Sequence, residues 1–200
     1  MNAATWDEKE YRIRMAENIA AAIRSVVTVE PDMDLLDFGC GTGLVSIPMA
    51  AEAKSLTGVD NSAGMLDVFK EKATAMGLEN VSGFNLNLDK GDHLPGMYDL
   101  IISSMTLHHI KNVVQAIQSL SGALQPGGHL CIADLDSDNG LFHSDNTDVH
   151  HFGFEREVVM EYFRSAGLID VRASTATTIK RVGEDQAERE FLVFLVTGQK

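Results

Sequence analysis

Three glycines, Gly39, Gly41 and Gly43, follow a short apolar run, and an acid, Asp37, stands two residues before the first of them. Glycine lets a chain turn tightly and lets a ligand lie directly against the backbone. A buried strand that ends in a glycine-rich turn and opens a helix is a nucleotide-binding element. The spacing then separates two ligand classes. Dinucleotide sites run G-x-G-x-x-G and place a pyrophosphate on the helix N-terminus. Here the third glycine comes one residue early, and Leu44 takes the dinucleotide position. Asp37 would repel a pyrophosphate but suits an ammonium group. The loop, with Cys40 inside it, is therefore fitted to a ligand with a cationic amino-acid end.

Other residues of chemical interest lie further along. Asp60 closes a second apolar run, Ser55 to Val59. An acid about 20 residues past a glycine loop is placed to accept ribose hydroxyls. His108 and His109 follow the apolar run Tyr98 to Ser104, and His143, His150 and His151 lie in a polar connection, 136–153. Histidine titrates near neutrality and suits a general base; His109 and His151 are the candidates for that role. Asp134, Asp136, His143, His150 and His151 offer nitrogen and oxygen donors to a metal. Their spacings match no established motif, so a solvated loop is the expectation and no metal is assigned. Cys40 and Cys131 fit neither a zinc spacing nor a disulfide framework and read as thiols in a reducing compartment.

The elements that position these residues are legible from periodicity. A helix is expected over Trp6 to Val27, where Tyr11, Met15, Ile19, Ile23 and Val26 recur on one stripe. Strands are expected at 33–38, 55–59, 81–88, 98–104 and 129–135, with Pro126-Gly127-Gly128 as a turn before the last. Helices are expected after the glycine loop, over 63–76 with Asn61 or Ser62 as N-cap and Gly77 as stop, over 111–124 and over 155–166. This alternation implies a parallel sheet covered on both faces. Two final strands, 171–179 and 191–197, joined by the polar segment 181–190, read as a hairpin that makes one edge strand antiparallel.

Asp37-x-Gly39-x-Gly41-x-Gly43 after an apolar strand resembles motif I of the class I S-adenosylmethionine-dependent methyltransferases, and the likeness extends over nearly the whole chain from about residue 30. Tyr98 to Ile110 resembles the fourth-strand signature of the small-molecule members, and Leu124 to Gly128 the turn before their fifth strand. The resemblance implies a three-layer, Rossmann-like α/β sandwich: a seven-stranded, mostly parallel sheet with an antiparallel C-terminal hairpin. It implies S-adenosylmethionine as cofactor and S-adenosylhomocysteine as product. Asp37, Gly39, Cys40, Gly41 and Gly43 would cradle the cofactor, Asp60 its ribose, and Asn61 and Met65 the adenosine. Asn87 and Leu88 would meet the adenine, with Asn85 or Asp89 as alternatives, and Ser104 and Met105 the methionine end. Asn87 stands where the family more often has an aspartate; its amide carbonyl accepts the same bond.

Ser103-Ser104-Met105-Thr106 lacks the prolines that follow strand four in many methyltransferases of nucleobase or amide nitrogens. A net charge of −13 also opposes nucleic acid and anionic membrane, which need a basic face. Two cysteines are too few for arsenite methylation. The expectation is one domain over 1–200 that methylates an oxygen or nitrogen of a small metabolite, as a cytoplasmic monomer or homodimer. Residues 1–30, with Trp6 and Tyr11, and the connection 136–153 would close the substrate side. A methyltransferase-like domain that binds cofactor without turnover is the alternative, and an NAD(P)-dependent oxidoreductase a more distant one.

Overall fold

The computed structural model describes residues 3–143, 145–182 and 187–200. A 3₁₀ turn, Ala3–Glu8, precedes helix α1, Glu10–Arg24. Then come β1 (Asp34–Phe38), α2 (Ile47–Ala50), β2 (Ser55–Asp60), α3 (Ala63–Ala75) and β3 (Val81–Asn85). After these follow β4 (Tyr98–Ser104), α4 (Val113–Gly122), β5 (Leu124–Leu135), α5 (Arg156–Ser165), β6 (Ile169–Val182) and β7 (Glu188–Gln199). Seven strands form one sheet in the order β3-β2-β1-β4-β5-β7-β6, parallel from β3 through β5.

Strand period decides which helix covers which face. Leu35, Leu100, Ile102, Cys131, Ala133, Val193 and Leu195 point to one side and pack with Ile19 and Ile23 of α1, Ile47 and Met49 of α2 and Phe69 of α3. Leu36, Ile101, Leu130, Ile132, Phe194 and Val196 point to the other and pack with Ile117 and Leu120 of α4 and Val159 and Phe163 of α5. Among the described residues no helix is long and apolar enough to cross a membrane.

Several expected boundaries shift. The first helix starts at Glu10, because Arg12 folds Trp6 back: its guanidinium lies 3.4 Å from the ring centroid and donates to the Trp6 carbonyl. The helix after the glycine loop shrinks to one turn at 47–50, since Gly43 at φ +77° and the turns at 44–46 delay it. β3 stops at Asn85, and Leu88–Lys90 is a 3₁₀ turn whose N-cap is Asn87. Ser62, not Asn61, caps α3. β5 begins at Leu124, so Pro126-Gly127-Gly128 lies within the strand, beside a register shift against β4.

The reversed strand is β7, and it is interior rather than an edge. It runs antiparallel to both β5 and β6. Its buried stretch Val193 to Val196 is apolar on both faces, as a covered strand requires, whereas β6 alternates exposed polar residues and takes the edge. The predicted polar connection 181–190 is largely strand at its two ends, and residues 183–186 lie outside the described residues.

Candidate functional site

The strand order reverses between β1 and β4, and in such sheets ligands bind in the crevice beyond the strand ends at that point. The glycine loop leaves β1 there, and Ser104 and Met105 leave β4 beside it. Thr106 ties the two together, its hydroxyl near the carbonyls of Gly39 (3.2 Å) and Ser104 (3.0 Å). Met105 holds a left-handed φ of +53°, fixed by its N–H on the Ala133 carbonyl. Such strain persists only where surrounding structure enforces it.

The three loop glycines do different work. A Cβ at Gly39 would fall 2.2 Å from the Thr106 hydroxyl, and one at Gly43 would fall 2.6 Å from Ile47 and Phe69. Those two are glycine so that the protein can pack. At Gly41, with φ +52°, a Cβ would meet no protein atom within 4 Å. That open face is where a ligand can approach the backbone. Cys40 turns its thiol inward, and burial, with the Asp37 and Asp60 carboxylates, raises that thiol well above its usual range. Cys40 therefore offers the crevice its backbone and not its sulfur.

Two carboxylates flank the loop. Asp37 is 2% exposed, and burial raises its pKa to about 7; the nearby Ser46 hydroxyl offsets part of this, and Asp60 adds to it. The Ser46 hydroxyl is the side-chain donor beside this carboxylate, and among the described residues no cation pairs with it. A buried carboxylate with no paired cation fits a cationic ligand. Asp60 accepts the Gly41 N–H at one oxygen and the Ser62 N–H at the other, both at 2.8 Å. Each oxygen keeps a second lone pair for a ligand hydroxyl. The residues thus fit the expected nucleoside with a cationic end.

The remaining expected contacts are distributed less evenly. Asn61 is exposed and Met65 buried at the start of α3, on the Asp60 side. Asn85 donates to the Asp60 carbonyl, and the Asn87 side chain is occupied in capping the turn at Leu88. Asp89 accepts the N–H groups of Lys111 and Asn112, which turns it toward the start of α4. From outside, Asp7 accepts the Thr42 hydroxyl and pairs with Lys72 at 2.5 Å, so the N-terminal turn is fastened to the glycine loop.

The histidines follow β4 and line the connection 136–153. His108 is buried, its Nδ1 2.6 Å from Asp134, which is fully buried. Burial pulls the imidazole pKa down, but Asp134 more than offsets this, and the net shift is upward. His109 Nδ1 sits 2.6 Å from the Asp148 carbonyl, and burial with the adjacent His108 lowers its pKa. His143 Nε2 lies 3.1 Å from His108 Nε2; burial, His108, His109 and Arg181 lower its pKa to about 4. His151 Nε2 donates to the Ile110 carbonyl at 3.0 Å. A carbonyl only accepts, so His109 keeps a bare Nε2 and His151 a bare Nδ1. The expected base candidates both retain a free lone pair. His150 is exposed, and Asp136 is held bidentately by Arg156. Among the described residues, the three ligating side chains gathered together are His108, His109 and His143, of which His143 was among the possible metal donors named from the sequence.

Comparison with known proteins adds the family. A model described as "Methyltransferase domain" matches residues 10–174. An uncharacterized methyltransferase of Schizosaccharomyces pombe is 35% identical over 151 residues, 68% of this chain and 53% of that protein. The chain spans about half the length of the curated relatives it matches. Among solved structures, the YcgJ protein of Bacillus subtilis superposes with a TM-score of 0.75 at 14% identity, covering 92% of this chain and 98% of that one. Phosphoethanolamine N-methyltransferase 2 of Haemonchus contortus, solved with S-adenosyl-L-methionine, gives 0.74 at 17% identity, covering 92% and 52%. At those identities the likeness establishes the seven-stranded α/β fold.

Proposed function

The chain belongs to the methyltransferase-domain family, and from that premise we propose that it transfers a methyl group from S-adenosylmethionine to an oxygen or nitrogen of a small metabolite. The observation that carries the reading is the open backbone at Gly41, set between the buried carboxylate of Asp37, which no cation pairs among the described residues, and the half-satisfied carboxylate of Asp60. When bound, the cofactor supplies a methyl group on a sulfonium leaving group. The chain's part is to bind, align, exclude water and manage a proton.

In this reading Asp37 accepts the cofactor's ammonium and the Gly39-Cys40-Gly41 backbone lies along its length. Asp60 accepts the ribose hydroxyls, Asn61 and Met65 flank the adenosine, and Asn87 and Leu88 meet the adenine. Ser104 and Met105 hold the methionine end. The bare nitrogens of His109 and His151 stand on the substrate side, ready to take the acceptor's proton. The N-terminal turn, fastened through Asp7, closes over the loop. A small acceptor is favoured over nucleic acid by the net charge of −13.

Two measurements test this. Calorimetric titration with S-adenosylhomocysteine should show one site, and NADH should show none; the reverse would point to an oxidoreductase. Incubation with methyl-labelled S-adenosylmethionine and a metabolite extract should then label one product. Cofactor binding without any label would favour the non-catalytic alternative.

The Asp37 carboxyl, at about 7, gives a pH signature with two opposite slopes. The native state holds this proton more tightly than the unfolded chain, so ligand-free stability should fall as pH rises from near the unfolded value of 3.8 to about 7. Cofactor affinity should rise over the upper part of that range, because the ammonium binds the ionised acid. One unit below the midpoint about a tenth of the acid is ionised, so affinity there should be about tenfold lower. Thermal unfolding and calorimetry across pH read the two slopes, and Asp37→Asn should flatten both. An affinity indifferent to pH would remove Asp37 from the site.

A further inference from the structure

We propose that His108, His109 and His143 form a site for one divalent first-row transition ion at the same sheet edge as the cofactor crevice. The methyl-transfer reading does not require such an ion. The ligating atoms of the three side chains lie within 4.8 Å of one another. The closest pair, His108 Nε2 and His143 Nε2, are 3.1 Å apart. Ion-to-imidazole bonds of about 2.0–2.1 Å set neighbouring ligand nitrogens roughly 3.0–3.4 Å apart, so this pair already has the spacing of two ligands on a shared ion.

The support of each ring points the same way. His108 donates from Nδ1 to Asp134, which leaves Nε2 to face the cluster. A buried carboxylate behind an imidazole is the usual arrangement for orienting a metal-binding histidine and raising its basicity. Asp134 is itself immobilised, since it also accepts the backbone N–H groups of His108 and Leu135. His109 is held by the Asp148 carbonyl at Nδ1, which again leaves Nε2 bare. His143 arrives on a built turn: Asp138 accepts the N–H groups of Gly140 and Phe142, and Arg181 donates to the Phe142 carbonyl. The N–H groups of His150 and His151 both bond the His108 carbonyl, locking this connection to the turn that bears His108 and His109.

Three imidazoles select the ion class. Magnesium and calcium demand oxygen ligands, whereas zinc and its first-row neighbours suit nitrogen. Three protein ligands on a tetrahedral ion leave a fourth position open for an oxygen or nitrogen donor, the atom types of a methyl acceptor. With the ion in place His109 is a ligand, and the base role falls to His151.

The test is titration of chelator-treated, full-length protein with Zn²⁺ by calorimetry, and with Co²⁺ by visible absorption. One equivalent should bind per chain, with the intense visible bands of four-coordinate cobalt, and Mg²⁺ should not compete. His143→Ala and His109→Ala should each weaken binding on the order of 100-fold or more while circular dichroism is unchanged. Asp134→Asn should cost about 10- to 100-fold. His150→Ala, outside the cluster, should bind as wild type. Absence of stoichiometric binding, or binding that survives His143→Ala, would overturn the proposal and leave a plain hydrogen bond between His108 and His143. S-adenosylhomocysteine affinity, read separately, keeps failure of the ion site distinct from failure of the cofactor site.

Discussion

Replacing Gly41 by valine should abolish cofactor binding while the protein still folds. The argument rests on the contrast with its neighbours. A side chain at Gly39 would strike Thr106 and one at Gly43 would strike Ile47 and Phe69, so those variants would fail through packing. At Gly41 nothing of the protein lies within 4 Å of the new Cβ. The folded state is charged only for a left-handed φ of +52° on a branched residue, roughly 1–2 kcal/mol. Domains of this size hold about 5–15 kcal/mol, so the variant should remain native. The cofactor, by contrast, would lose its approach to the main chain altogether. Calorimetry with S-adenosylhomocysteine should register no heat, and thermal unfolding should show a cooperative transition a few degrees lower. Gly41→Ala should fall between the two. Undiminished binding in the valine variant would mean that the open face of the loop is not where the cofactor lies.

This separation of roles among three glycines marks how far a sequence carries. The spacing shows that the chain turns tightly after β1, because glycine is the residue that adopts positive φ at low cost. It does not show which glycine faces a ligand and which faces Thr106, since that depends on a residue 67 positions away. The sheet itself was legible for a related reason: strands buried on both faces read as unbroken apolar runs, and Leu100 to Ile102 or Leu130 to Ala133 need no partner to be recognised. Where local chemistry competed with periodicity the reading erred. Apolar residues at 44–50 have helical spacing, yet 44–46 are turn and the helix is the single turn Ile47–Ala50. β7 is as apolar as β5, which is why it sits inside the sheet, but composition alone did not distinguish an interior reversed strand from an edge one.

The histidine cluster was the least legible part. His108 and His109 are adjacent, and adjacency on a strand or helix would have sent them to different faces. The 3₁₀ turn at Leu107–His109 instead keeps the two rings 4.1 Å apart. His143 comes from a connection whose course depends on the Asp136–Arg156 pair and on Asp138, partners that no spacing rule joins. Asp134 was visible as an acid at the end of β5, but its engagement with His108 is a contact across the sheet edge and so appears only in the folded chain.

Asp60→Ala should weaken cofactor binding by about 3 kcal/mol, on the order of 100-fold, since it removes two hydrogen bonds from ribose hydroxyls to a charged acceptor. The folded structure complicates this variant in one respect. The same carboxylate accepts the N–H groups of Gly41 and Ser62, so its loss also loosens the loop and the start of α3. The two contributions can be separated with an S-adenosylhomocysteine analogue that lacks the ribose hydroxyls. Against wild type the analogue should bind far more weakly than the parent. Against Asp60→Ala the two ligands should bind almost equally, because the partner of the hydroxyls is gone. If the hydroxyls kept their full worth in the variant, Asp60 would act only by ordering the loop, and the ribose would have to be held from elsewhere on the crevice wall.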